Sequence, residues 1–384
     1  MRFFHISDLH IGARLARFDL SEDQEHIFRQ IAELAKEHQP RAIVVAGDIY
    51  DNSVPSGEAV ELFDRFVTML GEACPEAEIM MISGNHDSPS RLNVFRGVLS
   101  RQKIHMIGMP PRFEGEHIEK VTLEDEFGST VFWLLPFVRP SAVRLITGGT
   151  DEKLSYDEAL TRLLDRENID TSVRNVFVSH QAYIPKGREP GDVERTSAEI
   201  TTVGNIDYIR SDILEPFDYC ALGHFHKPTK VRGGTCRYSG SPLAYSADEE
   251  GQVKHVVMVE LGEKGDVKTT ELPLHPLRKI RTEKGLLEEV LSRPSDDFVK
   301  IVITDEGDLD VADMQDRLFE AFPHLIDRNR AVRPAGERGV MIDDPNDYDE
   351  FEHCCRFLGE VSDEEKELLA DLINTVKLGK GDKV

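Results

Sequence analysis

The stretch EIMMISGNHD, residues 78–87, joins a short apolar run to a turn made of Gly84, Asn85, His86 and Asp87. The run Ile79–Ser83 is too short for a helix and meets polar residues at once, so it reads as a buried strand ending in a polar turn. The same grammar recurs four times. Phe3–Ser7 leads into Asp8, Leu9 and His10, and Ala42–Ala46 leads into Gly47 and Asp48. Val176–Ser179 leads into His180 and Gln181, and Tyr219–Leu222 into Gly223, His224, Phe225 and His226. Carboxyl ends of strands in an α/β sheet share one rim, so residues far apart in sequence are expected to converge there.

The intervening segments fit an α/β domain. Ile27, Ile31, Leu34 and Ala35 fall on one helical face that stops before Pro40. Glu58 to Leu70 predicts a second helix with Val60, Phe63, Val67 and Leu70 on its apolar side. His117–Leu123 and Thr130–Leu135 predict a hairpin, and Val256–Leu261 a strand with a hairpin-like return. Two prolines in Leu272–Arg278 mark a boundary, so residues 1–275 form the first domain. Residues 279–333 follow a strand–helix–strand–helix–strand pattern, a small α+β unit whose clearest elements are Phe298–Thr304 and Met314–Phe322. A Pro-, Gly- and Asp-rich link then leads to two amphipathic helices within 346–378, the second opened by the capping-box pattern Ser362 to Glu365.

Ligand chemistry narrows what the rim holds. Residues i and i+2 of extended chain project to one side, so Asp8 with His10, and His224 with His226, can each face one point. Gly47, Gly84 and Gly223 precede ligands where tight turns are useful. The five cysteines form no CxxC pair, leaving carboxylate, amide and imidazole donors that suit Mn²⁺, Fe²⁺ or Zn²⁺. Asp8, His10, Asp48, Asn85, His180, His224 and His226 are too many for one open ion. Two divalent ions about 3.5–4 Å apart, sharing a carboxylate, accommodate them and suit phosphoester hydrolysis.

The ordered motifs DLH, GDxxD, GNHD, SHQ and GHFH resemble the calcineurin-like metallophosphoesterase superfamily. SDLHIG, VVAGDIYDNSVPS, SGNHDSPSRL, ALGHFHKP and YSGSPLAYS extend the likeness to its SbcD family of bacterial nuclease subunits over nearly the whole chain. The resemblance implies a four-layer α/β/β/α sandwich with a small α+β capping domain and a C-terminal helix pair. It implies one ion, Mn²⁺ by preference, on Asp8, His10, Asp48 and His226, and another on Asp48, Asn85, His180 and His224. His86 would act on the scissile phosphate as transition-state stabiliser or proton donor, with Asp87 orienting its ring. It further implies a double-strand exonuclease and single-strand endonuclease in DNA double-strand-break processing, recombination and replication. Residues 279–333 would cap DNA, the helix pair would dock on an SbcC-like ATPase, and helices near 56–71 and 89–100 would make a homodimer within a heterotetramer. Asp51 stands where archaeal and eukaryotic relatives carry histidine, so no role of that histidine transfers.

Charge and hydropathy set further bounds. A net charge of −25 over 384 residues repels a polyanion, so DNA binding requires a local basic patch or a partner that supplies the grip. Arg14, Arg17, Arg91, Lys186, Arg188 and Lys227, with Arg195, flank the motifs or share a polar loop and are the candidates for phosphate contact. No run approaches the ~18 apolar residues of a membrane span. The start MRFFHISDLH lacks a secretory pattern, which predicts a cytoplasmic protein. A small-substrate phosphodiesterase or phosphatase on the same scaffold is the alternative reading, which would not require the extra domain and terminal helices.

Overall fold

The computed structural model describes residues 1–147, 154–184, 208–305 and 311–330. Lys186, Arg188, Arg195 and the 346–378 helix pair lie outside the described residues. Met1–Ile303 and Val311–Asn329 form one unit.

The five motif strands divide between two six-stranded sheets. The first runs Val267–Pro273, His255–Leu261, Arg2–Ile6, Ala42–Ala46, Glu78–Ile82, Ile104–Ile107, with its last four strands parallel. The second runs Thr229–Arg232, Cys236–Tyr238, Tyr219–Gly223, Arg174–His180, Gly128–Leu135, Glu119–Asp125, with four parallel strands at its centre. Three motifs therefore leave one sheet and two leave the other.

Side-chain alternation explains why the sheets stack. Phe4, Ile6, Ile43, Val45 and Met81 face the helices Ser21–His38 and Gly57–Ala73. Their neighbours Phe3, Val44, Ala46, Met80 and Ile82 face Phe132, Leu134, Val176, Val178 and Ala221 of the second sheet. The far side of that sheet, with Trp133, Leu135, Phe177 and Leu222, is covered by Pro140–Thr147 and Tyr156–Asp165. Three apolar interfaces thus make four layers, as a strand apolar on both faces demands.

One helix face is rotated from expectation. Ala59, Leu62, Phe63, Phe66 and Leu70 are buried, whereas Val60 is 46% exposed and Val67 is half-buried. Ala59 is turned toward the site loops, where a Cβ at Gly12 would lie 3.1 Å from its own.

Residues 280–330 add a three-stranded sheet, Ile280–Gly285, Phe298–Ile303 and Leu325–Arg330, with the helices Leu287–Leu291 and Val311–Ala321. It is tied to the first helix by Arg278, which reaches Asp23 at 2.7 Å and Glu22 at 2.6 Å. The Arg17 guanidinium lies over the rings of Phe18 and Phe319, at 5.0 and 4.6 Å. Arg17 therefore bridges the two parts of the unit, and Arg14 donates to the Arg17 carbonyl at 2.6 Å. Both side chains fix local structure and both residues remain exposed. No helix among the described residues is long and apolar enough to cross a membrane.

Phe132 is fully buried between the sheets, edge-on to Phe3 at 5.3 Å. Phe132→Ala should cost about 3–5 kcal/mol, seen as a lower urea midpoint at constant slope. A change below about 1 kcal/mol would show that the inter-sheet layer can collapse around the deletion.

Candidate metal centre

The site forms where the carboxyl ends of the two sheets meet, and glycines let them meet closely. A Cβ on Gly223 would fall 1.9 Å from the Ala46 carbonyl oxygen, across the gap between sheets. A Cβ on Gly47, which has φ +91°, would fall 2.3 Å from the His180 ring. Close approach, more than turn formation, is what these positions require.

The ligand loops are not extended. Asp8, His10 and Asp48 have φ of 54°, 43° and 49°, and His224 has φ 111°. The i, i+2 argument from an extended chain is thus replaced by left-handed backbone, a costly conformation that the surroundings hold in place. The loops brace each other: Asp8 N donates to Gly47 O and His10 N to Asp48 O, both at 3.0 Å. Gln24 donates to the carbonyls of Leu9 (3.1 Å) and His10 (2.7 Å), and Tyr245 donates its hydroxyl to Leu9 O.

All seven predicted ligands arrive at one place. The Asp48 carboxylate lies 3.1 Å from His180 Nε2 and 3.7 Å from His10 Nε2, and accepts from His86 N at 2.9 Å. Asn85 Oδ1 lies 3.1 Å from His180 Nε2 and 3.0 Å from His224 Nδ1. His10 and His226 bring their Nε2 atoms within 3.0 Å of each other. Asp8 receives the His224 backbone N–H at 3.0 Å. Donor atoms of Asp8, His10 and His226, and of Asp8, Asp48 and His180, lie within 4.8 Å of one another in each set.

Asp87 departs from its assigned part. Its buried carboxylate accepts from the backbone N–H groups of Ile49 (3.0 Å), Tyr50 (2.9 Å) and Gly84 (2.9 Å). It pins one site loop to another, and the orientation of the His86 ring falls instead to the Asp51 carbonyl, which accepts from Nδ1 at 2.8 Å. Asp51 also sets a carboxylate oxygen 3.5 Å from His10 Nδ1.

Burial and charge prepare the donors. Burial and the nearby His180 push His224 down to about 3, and burial lowers His10 as well. Such rings are neutral and offer lone pairs. For His180 burial acts downward too, but the Asp48 and Asp8 carboxylates outweigh it and hold the ring up at about 9. Burial, then the Asp48 charge, pushes Asp87 up to about 6. A set of carboxylates, an amide and mostly neutral imidazoles fits divalent ions, with no thiolate among the donors.

Sequence reading missed the residues behind the ligands. Ser7 donates to Asp8 and lies 2.8 Å from Ser239, and Glu249 and Lys254 form a buried pair at 2.5 Å behind His226. Ser239 and Tyr245 lie in the conspicuous YSGSPLAYS stretch, but Glu249 and Lys254 look like any charges in a chain that is 30% charged. Among the DNA candidates, Arg91 and Lys227 are exposed beside the site loops.

Residues 1–228 match the calcineurin-like phosphoesterase family, and the chain belongs to that family. It is a metal-dependent phosphoesterase. Over 294 residues it is 31% identical to the D subunit of the SbcCD nuclease of Staphylococcus epidermidis, covering 76% of this chain and 74% of that relative. Among solved structures, GAP50, the anchor in the inner membrane complex of Plasmodium, gives a TM-score of 0.42 at 12% identity, covering 89% of this chain and 99% of the other. TT1561 of Thermus thermophilus gives 0.39 at 11% identity, covering 70% and 98%. Likenesses this loose support nothing further.

With the Asp48 and Asp8 carboxylates holding the buried His180 ring up at about 9, an ion taken up on that ring would displace a proton at neutral pH. Titrating Mn²⁺ into metal-free chain at pH 7.5 should release about one proton, with affinity rising as pH approaches 9. Calorimetry in buffers of different ionisation heat measures this; ion uptake with no proton released would overturn the prediction.

Proposed function

We propose that this chain is a two-metal DNA nuclease, cutting duplex ends as an exonuclease and single strands as an endonuclease. The observation that carries this reading is the convergence of Asp48, Asn85 and four histidines, from two sheets, on a site with Asp8 beside them. Likeness to a nuclease subunit points from phosphoesters in general to nucleic acid.

Asp8, His10, Asp48 and His226 would hold one ion, and Asp48, Asn85, His180 and His224 the other, Mn²⁺ by preference. Bound there, the ions would supply charge stabilisation and an activated water for phosphodiester hydrolysis. Neutral His224 and His10 are ready to bind without losing a proton. With its Nδ1 donating to the Asp51 carbonyl, His86 presents Nε2 at the site, where it can meet a phosphate oxygen or a leaving group.

The other parts follow the same reading. Residues 1–275 are the catalytic domain, residues 279–333 cap the duplex, and residues 346–378 dock on an SbcC-like ATPase. That partner offsets the charge of −25, with Arg91 and Lys227 as local phosphate contacts. Phe63 packs inward, yet Val54, Val60, Val94, Phe95 and Val98 remain exposed at 46–75%, an apolar surface that supports a homodimer within a heterotetramer. The setting is cytoplasmic, in double-strand-break processing, recombination and replication.

Purified chain with Mn²⁺ should degrade linear duplex DNA and leave a chromogenic phosphate monoester largely intact. Turnover of the monoester with intact DNA would instead establish a small-substrate phosphatase. His86→Ala should keep both ions by elemental analysis while cleavage falls by about 10²–10⁴-fold. Normal cleavage by that variant would remove His86 from the chemistry.

A further inference from the structure

We propose that Glu249, clamped by Lys254, is the positioning residue that fixes the tautomer and seat of His226, so that its Nε2 lone pair faces the metal site. The proposal rests on the reading of His226 as a ligand given above. Glu249 and Lys254 are 1% and 5% exposed. A buried ion pair is costly to desolvate, and apolar residues of similar size usually serve a core as well. Its place directly behind a ligand gives it a purpose.

The geometry specifies that purpose. His10 and His226 can both turn Nε2 lone pairs to one ion only if each carries its proton on Nδ1. Glu249 Oε1 lies 3.5 Å from His226 Nδ1, placed to face that N–H as its acceptor. The same oxygen accepts from Tyr245 N (3.0 Å), Ser246 N (3.1 Å) and Ser246 Oγ (2.9 Å), so the carboxylate cannot swing away. Lys254 Nζ grips the other oxygen at 2.5 Å and also donates to the His226 carbonyl at 3.1 Å. Ser241 N donates to that carbonyl as well, at 3.1 Å. Ring and backbone of one ligand are therefore held by one buried pair. Carboxylate–histidine–metal triads work this way: the outer carboxylate orients the ring and raises its basicity.

The experiment uses full-length chain freed of metal. Histidine ¹⁵N spectra report the tautomer of His226 without any ion, and Mn²⁺ titration followed by electron paramagnetic resonance counts sites and affinities. The wild type should show His226 protonated on Nδ1 and two bound ions. Glu249→Ala should lose that tautomer preference and weaken one ion by about 10–100-fold, leaving the other in place. The double variant Glu249→Ala with Lys254→Met removes the acceptor that faces His226 Nδ1 and strands no buried charge. It should fold and still weaken one ion by about tenfold. Wild-type affinity with an unchanged His226 tautomer in the double variant would overturn the proposal. A wild type that binds two ions but cuts no DNA would remove the nuclease reading, while the tautomer comparison still decides this one.

Discussion

The face-to-face packing of two sheets, with the carboxyl ends of their parallel strands on the same side, is the constraint on which the site depends. Neither sheet holds a complete donor set. The Arg2–Ile6, Ala42–Ala46 and Glu78–Ile82 strands deliver Asp8, His10, Asp48 and Asn85, and the Arg174–His180 and Tyr219–Gly223 strands deliver the remaining histidines. The seam is stitched where His180 Nδ1 donates to the Ala46 carbonyl at 2.8 Å. Gly47 and Gly223 leave room for that contact, and any side chain there would push the sheets apart. Inter-sheet packing of Phe3, Val44, Phe132 and Val178 thus contributes directly to ligand geometry.

Within this frame, strain and charge are arranged together. Asp8, His10 and Asp48 hold left-handed backbone, and such conformations persist only where neighbours over-determine them. Asp87 does so for the Asp48 loop, and Gln24 and Tyr245 do so for the Asp8–His10 loop, while the Glu249–Lys254 pair holds the His226 carbonyl. The result is a centre whose donors are placed before an ion arrives, which lowers the reorganisation that binding requires.

The elements of the fold were legible in the sequence because strand and turn chemistry are local. The runs at Ala42–Ala46 and Tyr219–Leu222 stand where predicted, within a residue at their ends. The apolar face of Gly57–Ala73 was only half legible, since the choice between Val60 and Ala59 depends on a neighbouring backbone that no helical wheel contains. Arg17 was legible only as a candidate phosphate contact, since a guanidinium over two rings is decided by which strand and helix come to lie beside it. Asp87 was legible as part of the site but not as a brace, because its partners are backbone amides of residues 49 and 50 as well as Gly84.

By itself the sequence determined the types of candidate donor, their order, and the strand ends that carry them, since apolar runs and polar turns follow from local periodicity. Tertiary structure alone decided that these strands split between two sheets, and that left-handed loops rather than extended ones aim the donors. It also decided which buried charges stand behind them. Those outcomes depend on contacts between segments that meet only once the layers have packed.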